Sequence, residues 1–270
     1  MPLLIAGGDS FTWGSELPDQ HMDHLANLPS QLTWSARISQ HFGWEYSCVA
    51  KPGGANSTIS RRVIKAVNQN KDTDIYIAVM WTFSHRNEIR LRNIHPYNTI
   101  VHDPVVTARY DIDDYWINFT AWHGLSFEEK MEFFPKDIDS ERYEFFREQH
   151  DKMTEIGITD ASKYFYAPTG DYYYHQYNFM KEINFLQFYL QSKNIKYFFC
   201  AASDEVFNSE TTLASDSGLW QTINWNNWYK DAAFHKWSEF HTRCGSHPGP
   251  DAHHDWLQLI LPKVQKCFQE

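Results

Sequence analysis

Ser10 stands in the run Gly8-Asp9-Ser10-Phe11-Thr12-Trp13-Gly14, directly behind the short apolar stretch Leu3-Leu4-Ile5-Ala6. A serine hydroxyl is a weak nucleophile until a neighbouring base takes its proton, and histidine is the usual base. One histidine is suitably carried. His247 lies in Cys244-Gly245-Ser246-His247-Pro248-Gly249-Pro250, where prolines stiffen a loop ahead of the last helix. A third segment, Lys51-Pro52-Gly53-Gly54-Ala55-Asn56-Ser57, offers a glycine whose N–H can approach a ligand and a helix start that favours negative charge. That is the chemistry of an oxyanion hole. A fourth, Trp81-Thr82-Phe83-Ser84-His85-Arg86-Asn87-Glu88, gathers hydroxyl, imidazole, guanidinium and carboxylate groups in one place. Taken singly, each segment is also what an ordinary turn or exposed loop contains.

These groups need a scaffold. Leu3 to Ala6 reads as a buried parallel strand, Trp44 to Ala50 as a second and Asp74 to Trp81 as a third. Ser30 is the expected cap of a helix to about Phe42, stopped by Gly43. Asn56 or Ser57 is the expected cap of another, carrying Ile59, Val63 and Val67. The first 90 residues therefore read β-α-β-α-β, a parallel sheet with right-handed crossovers. From about 90 to 175 the rhythm breaks in an aromatic-rich insertion. It holds the capping-box pattern Ser126-Phe127-Glu128-Glu129, a helix from about Ser140 to Met153, and the run Tyr172-Tyr173-Tyr174. The insertion is expected to wall or cover a substrate cleft, its aromatics either stacking on a sugar or packing beneath the excursion. A helix from about Asn178 to Ser192, a strand from Ile195 to Ala201 and a helix from about Ala252 to Phe268 complete the chain; no fifth strand is evident. Without a linker or repeat, residues 1–270 read as one domain.

Four segments in this order resemble the four sequence blocks of the SGNH or GDSL hydrolase family. Gly8-Asp9-Ser10 with Gly14 matches the block that holds the nucleophile. Gly54 matches the second-block glycine, whose N–H joins the oxyanion hole, and His247-Pro248 with His253 beyond it matches the last block. The resemblance covers roughly residues 3–90 and 178–268. It implies a three-layer α/β/α flavodoxin-like sandwich with a mostly parallel sheet. It also implies hydrolysis of esters, often acetyl or acyl groups on sugars or lipids, with no cofactor.

Two blocks depart from the family. Its third block carries an Asn that donates to the oxyanion, and here Thr82 occupies that position, a hydroxyl with one proton to give. The oxyanion hole is thus expected from the Ser10 and Gly54 N–H groups with Thr82. Its last block carries an Asp three residues before the His, and here that residue is Cys244. Either a Ser10–His247 dyad remains or a carboxylate from elsewhere substitutes. Asp251-Ala252-His253-His254 has Asp-x-x-His spacing too, and would make His254 the base and Asp251 its partner. Two other classes remain: a carbohydrate-binding relative that no longer hydrolyses, and a metal-dependent hydrolase using His241, His247, Asp251, His253, His254 and Asp255. No H-E-x-x-H spacing supports the last.

Composition bounds the partners. A net charge of −10 without a basic stripe argues against nucleic acid. No run approaches 18 apolar residues, so no membrane span is expected. The four cysteines form no C-x-x-C pair, and Cys48 and Cys200 fall in the strand-like runs, as free thiols in a reducing compartment would. A soluble cytoplasmic protein acting on a small-molecule or carbohydrate ester is the expectation.

Overall fold

A computed structural model describes residues 1–20, 28–90, 116–134, 138–169, 172–205, 207 and 218–269. Residues 1–84 with 176–270 form one compact unit, and residues 85–175 form another. The second coincides closely with the expected insertion.

In the first unit, strands β1 (Leu3–Gly7), β2 (Glu45–Cys48), β3 (Ile75–Trp81) and β6 (Lys196–Ala201) form a sheet in the order β2-β1-β3-β6. Every pairing is parallel. Strands β1, β3 and β6 are largely buried, which is why they read as continuous apolar runs and not as alternation, whereas β2 at the sheet edge is half-buried. With the helices this is an α/β architecture, compatible with an α/β sandwich. Among the described residues the sheet has four strands, and beyond β6 a single bridge is seen there, Phe199 to Trp228, with Tyr229 N donating to Phe199 O at 2.9 Å.

Alternate residues of the strands enter different surroundings, as the pleat requires. Leu4, Ala78, Met80, Phe198 and Cys200 share a core with Trp34 and Ile38 of α2 (Trp34–Phe42) and with Trp256, Ile260 and Val264 of the last helix, Pro250–Gln269. Each large side chain fully buried here contributes roughly 1.5–3 kcal/mol. Elsewhere, α3 (Asn56–Gln69) comes so near β1 that a Cβ on Gly7 would meet Val63 at 2.6 Å. Trp81 packs on Phe179 and edge-on to Phe199.

Two helix N-caps differ from the sequence reading. The cap of α2 is Thr33, whose hydroxyl accepts from Ala36 N, while Ser30 caps nothing and binds Asp19 instead. The N-cap of α3 is Ala55, without a side-chain cap, because Asn56 is drawn into the sheet end described below. Gly43 ends α2 as expected. All four cysteines are free, and burial pushes the Cys200 thiol well above its usual range.

His253 makes the acid stability of this unit predictable. It is buried, its Nδ1 accepts from Trp34 N at 3.4 Å, and its ring lies 5.0 Å from that of Phe234. Burial, with smaller contributions from Arg37 and His247, pushes its pKa down to about 3. The folded chain thus holds it neutral while the unfolded chain protonates it below about pH 6.5. Stability is therefore lost as pH falls from that value, on the order of 1 kcal/mol per unit from this residue. Thermal unfolding between neutral and mildly acid pH checks this: His253→Gln, which keeps an acceptor for Trp34 N, should flatten the slope, and an unchanged slope would contradict the assignment.

The second unit pairs β4 (Asn87–Arg90) with β5 (Trp116–Phe119) antiparallel. Short helix α4 (Phe127–Met131) follows, capped by the expected Ser126–Glu129 box, then α5 (Ser140–Glu155) and α6 (Ile158–Thr169). The helix expected from about Asn178 begins earlier, as α7 (Tyr172–Ser192), so the tyrosine run opens a helix. Tyr174 packs edge-on to Phe165 and His175. Among the described residues no helix is long and apolar enough to cross a membrane.

Candidate active site

Within the first unit, the sequence-predicted groups gather at the carboxyl ends of the parallel strands. Chain order reverses at β1: β2 lies on one side of it and β3 on the other. Ligands of open parallel sheets bind at such a switch. Ser10 follows β1 at the first position of α1 (Ser10–Trp13), and Thr82 follows β3. Asp9 closes the turn between β1 and α1. Its Oδ1 accepts from Phe11 N at 3.0 Å and its Oδ2 from the Thr82 hydroxyl at 2.6 Å, so one buried carboxylate ties the two strand ends. Asn56 adds a second clasp: its Oδ1 accepts from Thr82 N at 3.0 Å and its Nδ2 donates to Phe83 O at 3.1 Å. Ser84 is fixed in turn, its N and hydroxyl both donating to Glu205.

His247 is held by a carboxylate that the sequence did not single out. Arg243–Cys244 and His247–Pro248 form a two-residue antiparallel ladder, β7 and β8, with Gly245 at φ +61° in the turn. Glu16 reaches into this hairpin. Its Oε2 accepts from His247 Nδ1 at 2.7 Å, Ser246 N at 2.7 Å, His247 N at 3.1 Å and the Ser246 hydroxyl at 3.1 Å. Partial burial raises the Glu16 pKa, but these donors and the His247 charge outweigh it, and the net shift is downward. The ionised carboxylate accepts only, so Nδ1 carries a proton in this bond, and whenever the ring is neutral its lone pair is on Nε2. No carboxylate stands three residues before His247; the one bonded to its Nδ1 comes from the other end of the chain. Cys244 instead pairs opposite His247 in the hairpin.

Glu16 occupies a left-handed backbone conformation, φ +67°, rare for a residue with a Cβ. It sits between Gly14, which ends α1, and buried Leu17, whose N bonds Gly14 O at 3.2 Å. Such a conformation costs on the order of 1–3 kcal/mol and persists only where surrounding structure enforces it.

His247 is linked to the turn that carries Ser10 by aromatic packing. The Phe11 ring, one residue beyond Ser10, meets the His247 ring edge-on at 5.8 Å. Phe11 also packs on Phe234 and on His235, and His235 on Phe83. His247 bonds Glu16 and Ser246, not the Ser10 hydroxyl.

The remaining oxyanion-hole expectations are corrected. Lys51-Pro52-Gly53-Gly54 is a tight turn of the Pro-Gly type, with Gly53 at φ +70°, and the Gly54 N–H closes it by donating to Lys51 O at 2.8 Å. The single hydroxyl proton of Thr82 goes to Asp9. Of the first amides of α1, Phe11 N, Thr12 N and Trp13 N all bond to Asp9, so the Ser10 N–H is the donor of that turn left available.

Asp251 and His254 do not form the alternative pair. Asp251 binds the Thr242 hydroxyl and N at the start of the last helix, and His254 is exposed. His241 faces Asp255 at 3.5 Å and His253 turns into the core. Among the described residues no three His, Cys, Asp or Glu side chains converge as a metal site requires.

Gly245 tests the hairpin. A Cβ there would lie 2.7 Å from a Glu16 carboxylate oxygen, on a backbone that L residues rarely adopt. Gly245→Ala should destabilise the fold by about 1 kcal/mol or more and displace Glu16 from His247. Chemical denaturation and the NMR shift of the His247 ring read the two effects, and a variant unchanged in both would contradict the contact. Comparison with known families, curated proteins and solved structures finds nothing that matches this chain.

Proposed function

We propose that the chain is a serine esterase of the SGNH type, hydrolysing a carboxylic ester of an acetyl or short acyl group through a Ser10–His247–Glu16 triad. The observation that carries this is the 2.7 Å bond from His247 Nδ1 to Glu16, which gives the base its orienting acid despite Cys244. In this reading His247 Nε2 takes the Ser10 proton and Ser10 Oγ attacks the carbonyl. The Ser10 N–H donates to the tetrahedral oxyanion, which collapses as the ester C–O bond breaks and His247 returns the proton to the departing alcohol. Water, deprotonated by His247, then attacks the acyl-enzyme and releases the carboxylic acid and free Ser10. The strand order β2-β1-β3-β6 supports the finer reading of the first unit as a flavodoxin-like three-layer sandwich. An activated phosphonate ester tests the proposal directly. It should phosphonylate Ser10, located by peptide mass mapping, in proportion to lost hydrolysis of a chromogenic acetate.

One observation favours a second reading. Both the Gly54 N–H and the Thr82 hydroxyl are spent on other acceptors, which leaves the oxyanion hole sparse and suits a carbohydrate-binding relative without turnover. Saturable binding of an acetylated oligosaccharide, with no phosphonylation and no hydrolysis, would select it.

A further inference from the structure

We infer that the unit formed by residues 85–175 carries a pocket for a small organic monocarboxylate, with Lys130 and Gln149 as donors to the carboxylate and an aromatic wall for the apolar part. The pocket lies between α4 and α5 and encloses about 130 Å³. A pocket of this size suits a short acyl chain. Trp122, Phe127, Phe134 and Phe146 supply the wall, with the Phe134 and Phe146 rings 4.4 Å apart.

The polar groups are what call for an anion. Lys130 is only 8% exposed, and its ammonium donates to His150 Nδ1 at 2.9 Å and to His123 O at 3.4 Å. An ammonium has three protons, so one remains. Neither partner is an anion, and among the described residues no carboxylate pairs with this lysine. Glu128 and Asp151 act on His150 electrostatically without bonding Lys130. Burial, reinforced by the Lys130 charge, pushes the His123 pKa down to about 4 and shifts that of His150 down as well. The Gln149 amide nitrogen is buried in the same lining with no partner, two more protons without an acceptor. A buried charge and a buried donor are each costly unless satisfied. A carboxylate satisfies both at once, and its hydrocarbon end meets the aromatic rings. The inference does not depend on the Ser10 chemistry.

Titration calorimetry of the intact protein with butyrate, and with butyramide as its neutral counterpart, tests it. Butyrate should bind saturably and butyramide more weakly. Lys130→Met and Gln149→Leu should each weaken butyrate on the order of tenfold to a hundredfold, as expected for lost hydrogen bonds to a charged ligand. If Lys130→Met fails to fold, judged by circular dichroism, Gln149→Leu carries the test alone. Absence of saturable butyrate binding to the unaltered protein overturns the inference. So does binding that folded pocket variants leave unchanged, which would place butyrate elsewhere, for instance at Ser10 as a product.

Discussion

Ser10→Ala should lower kcat on a short chromogenic acetate by about 10⁶-fold, the loss seen when a serine triad is deprived of its nucleophile. KM should change little, because removing one oxygen from a mostly buried side chain alters the attack and not the walls of the site. The fold should be undisturbed, since the Ser10 hydroxyl clasps nothing: Asp9, Thr82 and Asn56 hold the strand ends together without it. An unaltered melting temperature with abolished turnover would distinguish lost chemistry from lost structure. A folded Ser10→Ala protein with full activity would end the esterase reading. Failure of the unaltered protein to turn over acetate, butyrate or acetylated-sugar esters would favour the binding-protein reading.

What the sequence made legible were the features that local chemistry dictates. The strands β1, β3 and β6 were readable because burial in a parallel sheet demands long apolar runs. Gly43 and the Ser126–Glu129 box were readable because a helix end must satisfy its own amides within a few residues. Ser10 and His247 stood out as candidates because the turn after the first strand and the Pro-rich loop before the last helix carry local signatures. Glu16 was not. It lies 231 residues from its partner, in a conformation that its residue type disfavours, and in sequence it resembles any polar loop residue. Thr82 and Gly54 were misassigned for a related reason. Their positions follow from strand order, but whether a donor is available depends on which acceptor sits within 3 Å, and Asp9 and Lys51 O take them. The same competition moved the α3 cap: Asn56, a good capping type, bonds instead across to Thr82 and Phe83.

Glu16→Gln should reduce kcat by about 10⁴-fold with the fold retained, the scale on which a triad suffers when its acid is replaced by an isosteric amide. The reason lies in the protons. Glu16 is ionised because its donors pull its pKa below the usual carboxylate value, and an ionised carboxylate obliges His247 to hold its proton on Nδ1. A glutamine can present its amide N–H₂ to that nitrogen, which moves the imidazole proton to Nε2, where no lone pair remains for Ser10. Glutamine also carries no charge to stabilise the imidazolium that forms as the Ser10 proton moves. Glu16 acts through His247, so it is a positioning residue, and its loss should leave KM nearly unchanged. Nitrogen NMR of labelled histidine should show the His247 proton on Nδ1 in the unaltered protein and on Nε2 in the variant. The pH dependence has a definite sign. A carboxylate with a lowered pKa contributes its interaction above its ordinary value near 4.5 and loses it as pH falls through the lower folded value. The unaltered hairpin and its activity should therefore weaken on that acid limb, while the glutamine variant lacks this contribution at every pH. A Glu16→Gln enzyme with normal kcat and an unmoved imidazole proton would return the site to a Ser10–His247 dyad.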